Sequence, residues 1–284
     1  MSESKTNINK DADKLFSNLV IPWEKQKEEI WEDLEARLEH NPAKVVRLYT
    51  TWGKYAAVAV ILILLGTSLF MRFYTTSVVS IEGRHLSHIL PDGSKVDLNA
   101  ASSISYHPYW WRISRQVKFS GEGFFEVAKG KTFEVVSLHG RTTVLGTTFN
   151  IYSRKHEYVV TCIAGRVRVE AVETGNQVIL NPDEKAVLDK HGIFEISYNI
   201  DSENTVSWVN NQFIFTSVPL YRVIEEISRQ YGVKIKHSLP QGYSYSGGFS
   251  KNNSVEEVLN LVCKPFGINF VANGDGVYVL KQNN

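Results

Sequence analysis

The sequence predicts a single-pass membrane protein whose exported part is an all-β domain followed by a small α+β domain. Three features of the 284-residue chain support this class. Residues 55–71 form an uncharged, apolar run, and residues 78–198 consist of short segments in which apolar and polar side chains alternate. Residues 208–282 instead contain two copies of a helix-and-strand pattern, 35 positions apart.

The apolar run predicts a membrane helix over residues 54–73. As a helix it reaches roughly 25 Å, while the hydrocarbon core of a bilayer is roughly 30 Å thick. Lys54 and Arg72 at its ends make up the difference, because their long side chains can extend the cations to the headgroups. A secretory signal would lie near the N-terminus, and a soluble helix would carry a polar face that residues 55–65 lack.

The flanking basic residues predict the orientation of this helix. Three basic residues and no acid lie between residues 40 and 54, whereas residues 73–88 carry one arginine beside one glutamate. Short loops rich in Lys and Arg stay on the cytoplasmic side of a membrane. We therefore expect residues 1–53 inside the cell and the chain after residue 73 outside the inner bilayer.

The alternating segments predict an all-β domain over residues 78–198. Alternation with period 2 is clear at Val96 and Leu98 and again at Ile104 and Tyr106, and no long amphipathic helix interrupts the series.

Two glycines, Gly121 and Gly123, flank Glu122 inside one of these segments. Glycine within a strand indicates a bulge or the close approach of a neighbouring backbone, and a ligand bound at this place is the alternative.

The repeat predicts the smaller domain, over residues 208–282. Each copy is an amphipathic helix that ends at a glycine suited to the left-handed conformation and is followed by a strand. Ser254 and Glu257 open the second copy at the spacing of a capping box. With strands before each helix and at the end, the predicted order is β-α-β-β-α-β-β. The eight matched positions are Leu220, Val223, Ile224, Ile227, Tyr231, Gly232, Val233 and Ile235, which fall on Val255, Val258, Leu259, Val262, Phe266, Gly267, Ile268 and Phe270.

Charge and metal-ligating residues exclude some classes of partner. A net charge of +1 gives no support for nucleic-acid binding, which needs a concentrated basic face. Cys162 and Cys263 lie in an apolar strand and an apolar helix face of different predicted domains, so two separate buried thiols are expected, with a disulfide as the alternative. His85 and His88 would bind a metal only with further ligands, to which the sequence does not point. We expect no cofactor and no metal.

Five segments resemble the FecR family of membrane-bound sigma-factor regulators, both in order and in spacing. They are LPDGSKVDLNAASSISY, VKFSGEGFFEV, VLGTTFNIY, AGRVRV and NPDEKAVL. The C-terminal repeat resembles the STN-like domain that follows in the Bacteroidetes branch of this family. Together the two resemblances cover most of residues 80–282, and small departures occur at Gly123 and Asp183, where Ala and Gly are commoner.

The resemblance implies a solenoid-like β scaffold, an STN-like docking domain and no enzymatic activity. In this family a TonB-dependent outer-membrane transducer presents a periplasmic signalling domain to the regulator. The regulator then changes its hold on an extracytoplasmic-function sigma factor in the cytoplasm. This chain is therefore expected to be an anti-sigma factor of the bacterial inner membrane, with its C-terminus in the periplasm, that controls transcription of a nutrient-uptake operon.

The cytoplasmic segment contains the residues expected to hold the sigma factor. From Pro22 the sequence predicts an amphipathic helix with a charged face, on which Asp33 and Arg37 are spaced to pair. Its apolar stripe has no core of its own, so we expect a groove of the partner to cover it. The stripe consists of Trp23, Ile30, Trp31, Leu34 and Leu38.

Three alternatives for this stripe are the inner membrane surface, self-association in a dimer and a disordered tether. Residues 1–52 carry ten acids and eight bases, an excess of negative charge that an anionic leaflet would repel.

Transmission of the signal across the membrane has two possible routes. Gly66, Thr67 and Ser68 weaken the outer third of the span and suit either cleavage by an intramembrane protease or contact between two helices. On the outer side we expect the STN-like domain to dock the transducer through a sheet edge, because short sheets leave unpaired backbone groups there.

The sequence gives less support to two other classes of function. A membrane-anchored periplasmic enzyme would need a catalytic motif, and the sequence has no G-x-S-x-G, HExxH, P-loop or glycine-rich dinucleotide turn. Such an enzyme would use Glu122, Glu126, Asp183 and Glu184, whose spacing does not set two carboxylates opposite each other. A structural envelope-assembly protein that uses the STN-like module is the other alternative.

Overall fold

The computed structural model describes residues 26–39, 49–155, 157–238, 242–274 and 276–282. The chain separates into two compact units, Met1–Leu62 and Ile63–Asn284, with the boundary inside the apolar helix. Helix α1, in the first unit, covers Lys27–Glu39. Helix α2 covers Tyr49–Phe73.

Within the described chain, one helical stretch is long and apolar enough to cross a membrane, and it is the 22 residues Trp52–Phe73 of α2. None of this stretch is buried against protein, which distinguishes it from the core helix of a soluble domain. At 1.5 Å per residue it reaches about 33 Å and matches a hydrocarbon core of about 30 Å. The helix begins earlier than the predicted residue 54, and this removes the shortfall in length.

A 13-stranded, nearly closed sheet follows in the described chain and forms the β domain. Its strands are β1 (Thr76–Ser80), β2 (Leu86–Ile89), β3 (Lys95–Leu98), β4 (Ser102–Tyr106), β5 (Arg115–Glu126), β6 (Phe133–Val136), β7 (Gly140–Val144), β8 (Thr148–Arg154), β9 (Glu157–Ala164), β10 (Val167–Ala171), β11 (Gln177–Leu180), β12 (Glu184–Leu188) and β13 (Phe194–Ser197).

Strand β5 belongs to both halves of this sheet. Its first half pairs with β4 and β6, and its second half, from Gly121 onward, pairs with β3 and β8. Val117 and Phe119 from the first half and Phe125 from the second enter one hydrophobic core. The two halves therefore enclose a single apolar interior.

The predicted all-β class is confirmed, but the solenoid-like scaffold is not what the strand pairing shows. Among the described strands of this domain β5 and β6 pair in parallel, and the other pairs are antiparallel. An antiparallel sheet that closes on itself is barrel-like, whereas a solenoid stacks repeated coils along one axis.

The predicted close approach at Gly121 is confirmed. Its φ is +110°, and a Cβ atom added here would lie 2.6 Å from the Cα atom of Ser102 in β4. At Gly123 an added Cβ would meet the ring of Phe119 at 3.0 Å. Only a glycine at position 121 lets β5 pass from one half of the sheet to the other at this distance from β4.

The turn between β2 and β3 is fixed by a buried ion pair. Gly93 adopts φ +83°, and the Asp92 carboxylate accepts a hydrogen bond from the backbone N–H of Ser94 at 3.0 Å. Arg115, at the start of β5, donates through Nε to Asp92 at 2.6 Å and through its terminal nitrogens to two carbonyls in the loop after β5. The ion pair thus connects two loops at one end of the sheet.

The C-terminal α+β region has the predicted order β-α-β-β-α-β-β. After the short helix α3 (Ser202–Thr205), its strands form a two-stranded sheet, β14–β16, and a three-stranded sheet, β15–β18–β17. The elements are β14 (Gln212–Pro219), α4 (Leu220–Tyr231), β15 (Lys234–Lys236), β16 (Ser244–Ser250), α5 (Val255–Cys263), β17 (Ile268–Ala272) and β18 (Val277–Gln282).

The two copies of the repeat end alike, at a left-handed glycine, but only the second begins with a capping box. Gly232 and Gly267 adopt left-handed conformations, with φ of +63° and +64°, and the capping box of Ser254 and Glu257 is present. The matched apolar side chains of both helices enter one second core, which is separate from that of the β domain. The helical periodicity of the sequence thus identified the buried faces correctly.

The Gly121→Ala substitution is predicted to destabilise the β domain by at least about 2 kcal/mol more than Gly93→Ala. Both substitutions place a side chain at positive φ, at a cost of about 1–2 kcal/mol. Only Gly121→Ala adds a collision with backbone, since nothing lies within 4 Å of a Cβ at Gly93. Urea unfolding followed by Trp fluorescence measures the difference, and equal losses for the two variants would contradict the close approach.

Candidate functional site

Helix α1 presents the predicted apolar stripe to solvent. Ile30, Trp31, Leu34 and Leu38 are all exposed, with between 40% and 71% of their surface accessible. Trp23 lies outside the described residues. Side chains at positions i, i+4 and i+8 share one face of a helix, so these four form a continuous apolar strip along α1.

The opposite face of α1 is charged, and its charges are arranged to support the helix. Glu28 and Glu29 occupy the first turn and Arg37 the last, the placement that a helix dipole favours. Asp33 and Arg37 form the predicted ion pair at 3.3 Å. The charged residues of α1 thus stabilise the helix, and its apolar strip stays exposed to solvent.

A second candidate site lies where α4 packs on the β domain. Glu226 and Gln230, one turn apart on α4, are both buried despite being polar. The Gln230 amide donates to Asn99 Oδ1 at 2.5 Å and to Glu226 Oε1 at 2.6 Å, and its own oxygen accepts from His85 Nε2 at 2.8 Å. Gln230 thus bridges the C-terminal region and the β domain.

Glu122 extends these contacts into the β domain. Its two carboxylate oxygens accept hydrogen bonds from Asn99 Nδ2 at 2.8 Å and from Asn150 Nδ2 at 3.1 Å. Gly121 places Glu122 here, because β5 changes its pairing partners at that glycine. The sequence feature G-E-G therefore marks an interface between two parts of the protein.

Two arginines balance the buried carboxylates. Arg229 on α4 contacts Glu226 through two nitrogens, at 2.6 and 3.1 Å. Arg154 at the end of β8 donates to the carbonyls of Ala100 and Ala101, and its charge acts on both Glu122 and Glu226. We call these residues the buried polar cluster: His85, Asn99, Glu122, Asn150, Arg154, Glu226, Arg229 and Gln230.

The two carboxyl groups of this cluster have pKa values shifted in opposite directions. Burial and, to a smaller extent, the charge of Glu226 raise the pKa of Glu122 to about 7, and Arg154 opposes this rise. Burial acts on Glu226 in the same direction, but Arg229 and Arg154 together with hydrogen bonds outweigh it and lower the pKa of Glu226. Glu226 is therefore charged near neutral pH, while Glu122 is the carboxyl that takes up a proton.

Weaker contacts surround the cluster and join the same two parts. Lys155 pairs with Glu225 and Arg222 pairs with Glu157, both at 2.6 Å and both partly exposed. The backbone N–H of Gly83 donates to the Arg229 carbonyl at 2.8 Å. Exposed ion pairs contribute about 0–1 kcal/mol each, so these pairs add little to the stability of the interface.

A cleft of about 290 Å³ opens beside the cluster. Three buried polar atoms in its lining have no hydrogen-bond partner among the described residues: Asn150 Oδ1, Thr161 Oγ1 and Trp208 Nε1.

Comparisons with known proteins agree with this architecture. The sequence model described as FecR protein matches residues 76–168, and the model described as FecR, C-terminal matches residues 212–279. Two crystal structures of a "putative anti-sigma factor" from Parabacteroides distasonis ATCC 8503 align with TM-scores of 0.68 and 0.66 and identities of 27% and 26%. Each alignment covers 74% of this chain and 100% of the other. No curated protein matches the chain.

The chain belongs to the FecR family. This family consists of anti-sigma factors, which are regulators and not enzymes, so the prediction that the chain is not an enzyme is confirmed.

The four carboxylates of the enzyme alternative take part in separate contacts in this FecR protein. Glu122 belongs to the buried polar cluster, and Glu126 faces Lys95 at 3.5 Å. Asp183 accepts a hydrogen bond from Ser202, and Glu184 accepts one from the backbone of Asn181. Each has a structural partner of its own.

The predicted separate thiols are confirmed. Cys162 in β9 and Cys263 in α5 are both free and buried, and burial raises the pKa of each thiol to about 11. His85 bonds to Gln230, and His88 Nε2 lies 2.9 Å from the Tyr106 hydroxyl. Among the described residues no group of His, Cys, Asp and Glu is arranged to hold a metal ion.

Sequence analysis missed most of the buried polar cluster. Glu226, Arg229 and Gln230 were not singled out, although Gln230 follows Val223 and Ile227 at helical spacing and so lies on the buried face of α4. This spacing is the signal that was available. The partners in the β domain are more than 70 positions away in sequence, and no local pattern relates them to α4.

The contribution of Glu122 to the stability of the FecR chain is predicted to fall as the pH rises from about 4.5 to about 7. The pKa of Glu122 is higher in the folded than in the unfolded chain, so the folded state binds more protons in this window. The stabilisation is complete below about pH 4.5 and is lost through about pH 7, with an upper limit of about 3 kcal/mol. Urea unfolding at pH 5 and pH 7.5, compared between the unsubstituted chain and Glu122→Gln, measures this contribution, because burial lowers the pKa values of His85 and His88 and their effect has the opposite sign in this window.

The Glu122→Gln variant is expected to lose this pH dependence, because the amide does not titrate. Glu126→Gln is the matched control, since Glu126 is an exposed carboxylate on the same strand. A Glu122→Gln variant with the pH dependence of the unsubstituted chain would show that Glu122 is not the titrating group.

Proposed function

We propose that this FecR-family protein is a single-pass anti-sigma factor of the bacterial inner membrane that relays a periplasmic signal to an extracytoplasmic-function sigma factor. The main support for this proposal is one apolar helix that is long enough to span a bilayer. In the sequence this helix lies between the exposed apolar strip on α1 and the residues that match the FecR models, 76–168 and 212–279. The periplasmic partner we propose is the signalling domain of a TonB-dependent outer-membrane transducer. The regulated genes would be those of a nutrient-uptake operon.

The distribution of basic residues supports a cytoplasmic N-terminus. Lys44, Arg47 and Lys54 precede the span or begin it, whereas the segment after Phe73 is nearly uncharged. Binding of a cytoplasmic protein at one end and a periplasmic protein at the other, as tested below, requires this orientation.

The exposed strip on α1 supports the proposed contact with the sigma factor. Ile30, Trp31, Leu34 and Leu38 are all solvent-exposed, and Glu29 and Glu32 lie on the opposite face of the same helix. Amphipathic helices of this kind bind by inserting their apolar face into a groove of the partner. A Trp side chain that is desolvated at the centre of such a contact often dominates the binding energy.

We predict that Trp31→Ala combined with Leu34→Ala reduces sigma-factor binding at least about 30-fold. Removing two central apolar side chains from an interface costs about 2 kcal/mol or more in total. The measurement is capture of the sigma factor from the cytoplasmic fraction by the full chain in detergent, quantified by titration with the purified sigma factor.

The control is Glu29→Ala combined with Glu32→Ala, on the charged face of the same helix. Because the alanines preserve helix propensity, this variant is expected to bind within about 3-fold of the unsubstituted chain. Equal binding by the stripe variant and the control would reject the strip as the binding surface.

The C-terminal region supports the proposed periplasmic contact. In the described chain β14 and β16 pair only with each other, and β15 and β17 each pair only with β18, so these short sheets have strand edges without a partner strand. An extended segment of a signalling domain can add a strand to such an edge through backbone hydrogen bonds.

Photo-crosslinking tests this contact. A photoreactive residue at Ile214 in β14 or Val271 in β17, both exposed, is expected to capture the transducer at one position at least. Ile179 and Ile193 of the β domain, of similar exposure, serve as controls and are expected to capture none. Crosslinks found only from the two control positions would assign docking to the β domain instead.

A short connection supports a mechanical route for the signal. Helix α2 ends at Phe73 and β1 begins at Thr76, so only two residues separate the span from the β domain. A displacement of the β domain therefore acts directly on the helix, whether the outcome inside is a movement of α1 or exposure of the span to a protease.

A further inference from the structure

A loop rich in aromatic residues lies against the outer end of the span. Residues 107–114, with the sequence HPYWWRIS, connect β4 to β5 and are called the aromatic loop here. Trp111 anchors the loop in the β-domain core, with ring centroids 5.4 Å from Tyr106 and 5.9 Å from Phe133. Tyr109 and Ile113 point outward instead and are 52% and 67% exposed.

The aromatic loop and the helix end are in direct contact. The Tyr109 ring lies 6.0 Å from Phe70 and 5.4 Å from Tyr74, and the Arg72 guanidinium lies 5.5 Å from the Trp110 ring. These contacts join the loop to the last turn of α2.

A shared hydrogen bond reinforces the contact. His107 Nδ1 lies 3.0 Å from the Tyr74 carbonyl, which only accepts, so the nitrogen carries the proton and donates it. The same nitrogen is 3.2 Å from the Thr75 hydroxyl oxygen, whose own proton is donated to the Phe73 carbonyl. His107 thus holds the two connecting residues against the loop.

The position of Phe70 fixes the depth of the loop. Phe70 is inside the span Trp52–Phe73, three residues and so about 4.5 Å from its outer end. The interfacial layer of a bilayer adds about 5–7 Å on each side of the hydrocarbon core. A ring whose centre is 6.0 Å from Phe70 therefore lies at the boundary between acyl chains and headgroups once the helix spans the bilayer.

We propose that the aromatic loop is a membrane-interface anchor, with Tyr109 and Ile113 inserted among the lipids of the leaflet where α2 leaves the membrane. Tyrosine and tryptophan favour this layer because their rings are apolar and their polar atoms reach water. Arg72 and Arg112 supply cations for lipid phosphates at the same level. The lipid surface covers an apolar patch that is continuous with the span itself.

The anchor would hold the β domain in a fixed orientation on the membrane. Only two residues connect the helix to the sheet, so without the anchor the β domain could pivot about this short connection. With the anchor in place, the β domain and α2 move together, so a force on the β domain tilts or shifts the helix. This inference depends on the membrane span and not on the identity of the sigma factor.

A depth measurement tests the anchor in the full chain. A nitroxide label at Ile113→Cys, in nanodiscs of phosphatidylethanolamine and phosphatidylglycerol, is compared with a label at Ile193→Cys, which is equally an exposed β-domain isoleucine. Cys162 and Cys263 are buried, and the unsubstituted chain serves as the labelling blank. We expect collisions with oxygen to exceed those with a water-soluble nickel chelate at 113, and the reverse at 193.

Two outcomes would overturn the proposal. Equal access of the nickel chelate to labels 113 and 193 would place the loop in water. Protection of label 113 from both oxygen and nickel would show that a protein surface, from a partner or a second copy, covers the loop instead of lipid.

Discussion

Strand β5 carries the constraint on which the rest of this structure depends. It leaves the aromatic loop at Arg115, passes Ser102 at a distance that only Gly121 allows, and presents Glu122 to the C-terminal region. One continuous strand therefore connects the part of the β domain beside the membrane helix with the part that contacts α4. A hydrogen-bonded strand is a stiff element, so movement at one of its ends is not absorbed locally.

The interface at the far end of β5 is held by buried charge. Pairing in the interior gives little net stability, because each charge loses its hydration, but removing one partner leaves an uncompensated charge at a cost of about 3–5 kcal/mol. Such an interface favours one docking geometry over small displacements. Burial raises the pKa of Glu122, and the charge of Glu226 adds to this rise while Arg154 opposes it, so the charge of this carboxylate is only partly compensated.

A protein that relays a signal needs a structural element with two conformations. A binding partner shifts the equilibrium between these conformations by binding one of them more tightly. In this chain the C-terminal sheets offer edges for a partner, and α4 lies between those sheets and the β domain. Strand addition at an edge would act on α4 through the shared core of Leu220, Ile224 and Ile227. The short connection from β1 to α2 then joins the β domain to the span.

The sequence by itself determined what depends on local periodicity and local turn chemistry. The span, the order of elements in the C-terminal region, the capping box at Ser254 and the close approach at Gly121 all follow from patterns within a few residues, because helix and strand periods and glycine's freedom act at that range. Tertiary structure alone decided how the strands close into a sheet, where the family resemblance had implied a solenoid-like scaffold. It also decided that Glu122 and Gln230 share one buried cluster, because such partners are distant in sequence and are selected by packing and desolvation, which have no local signature.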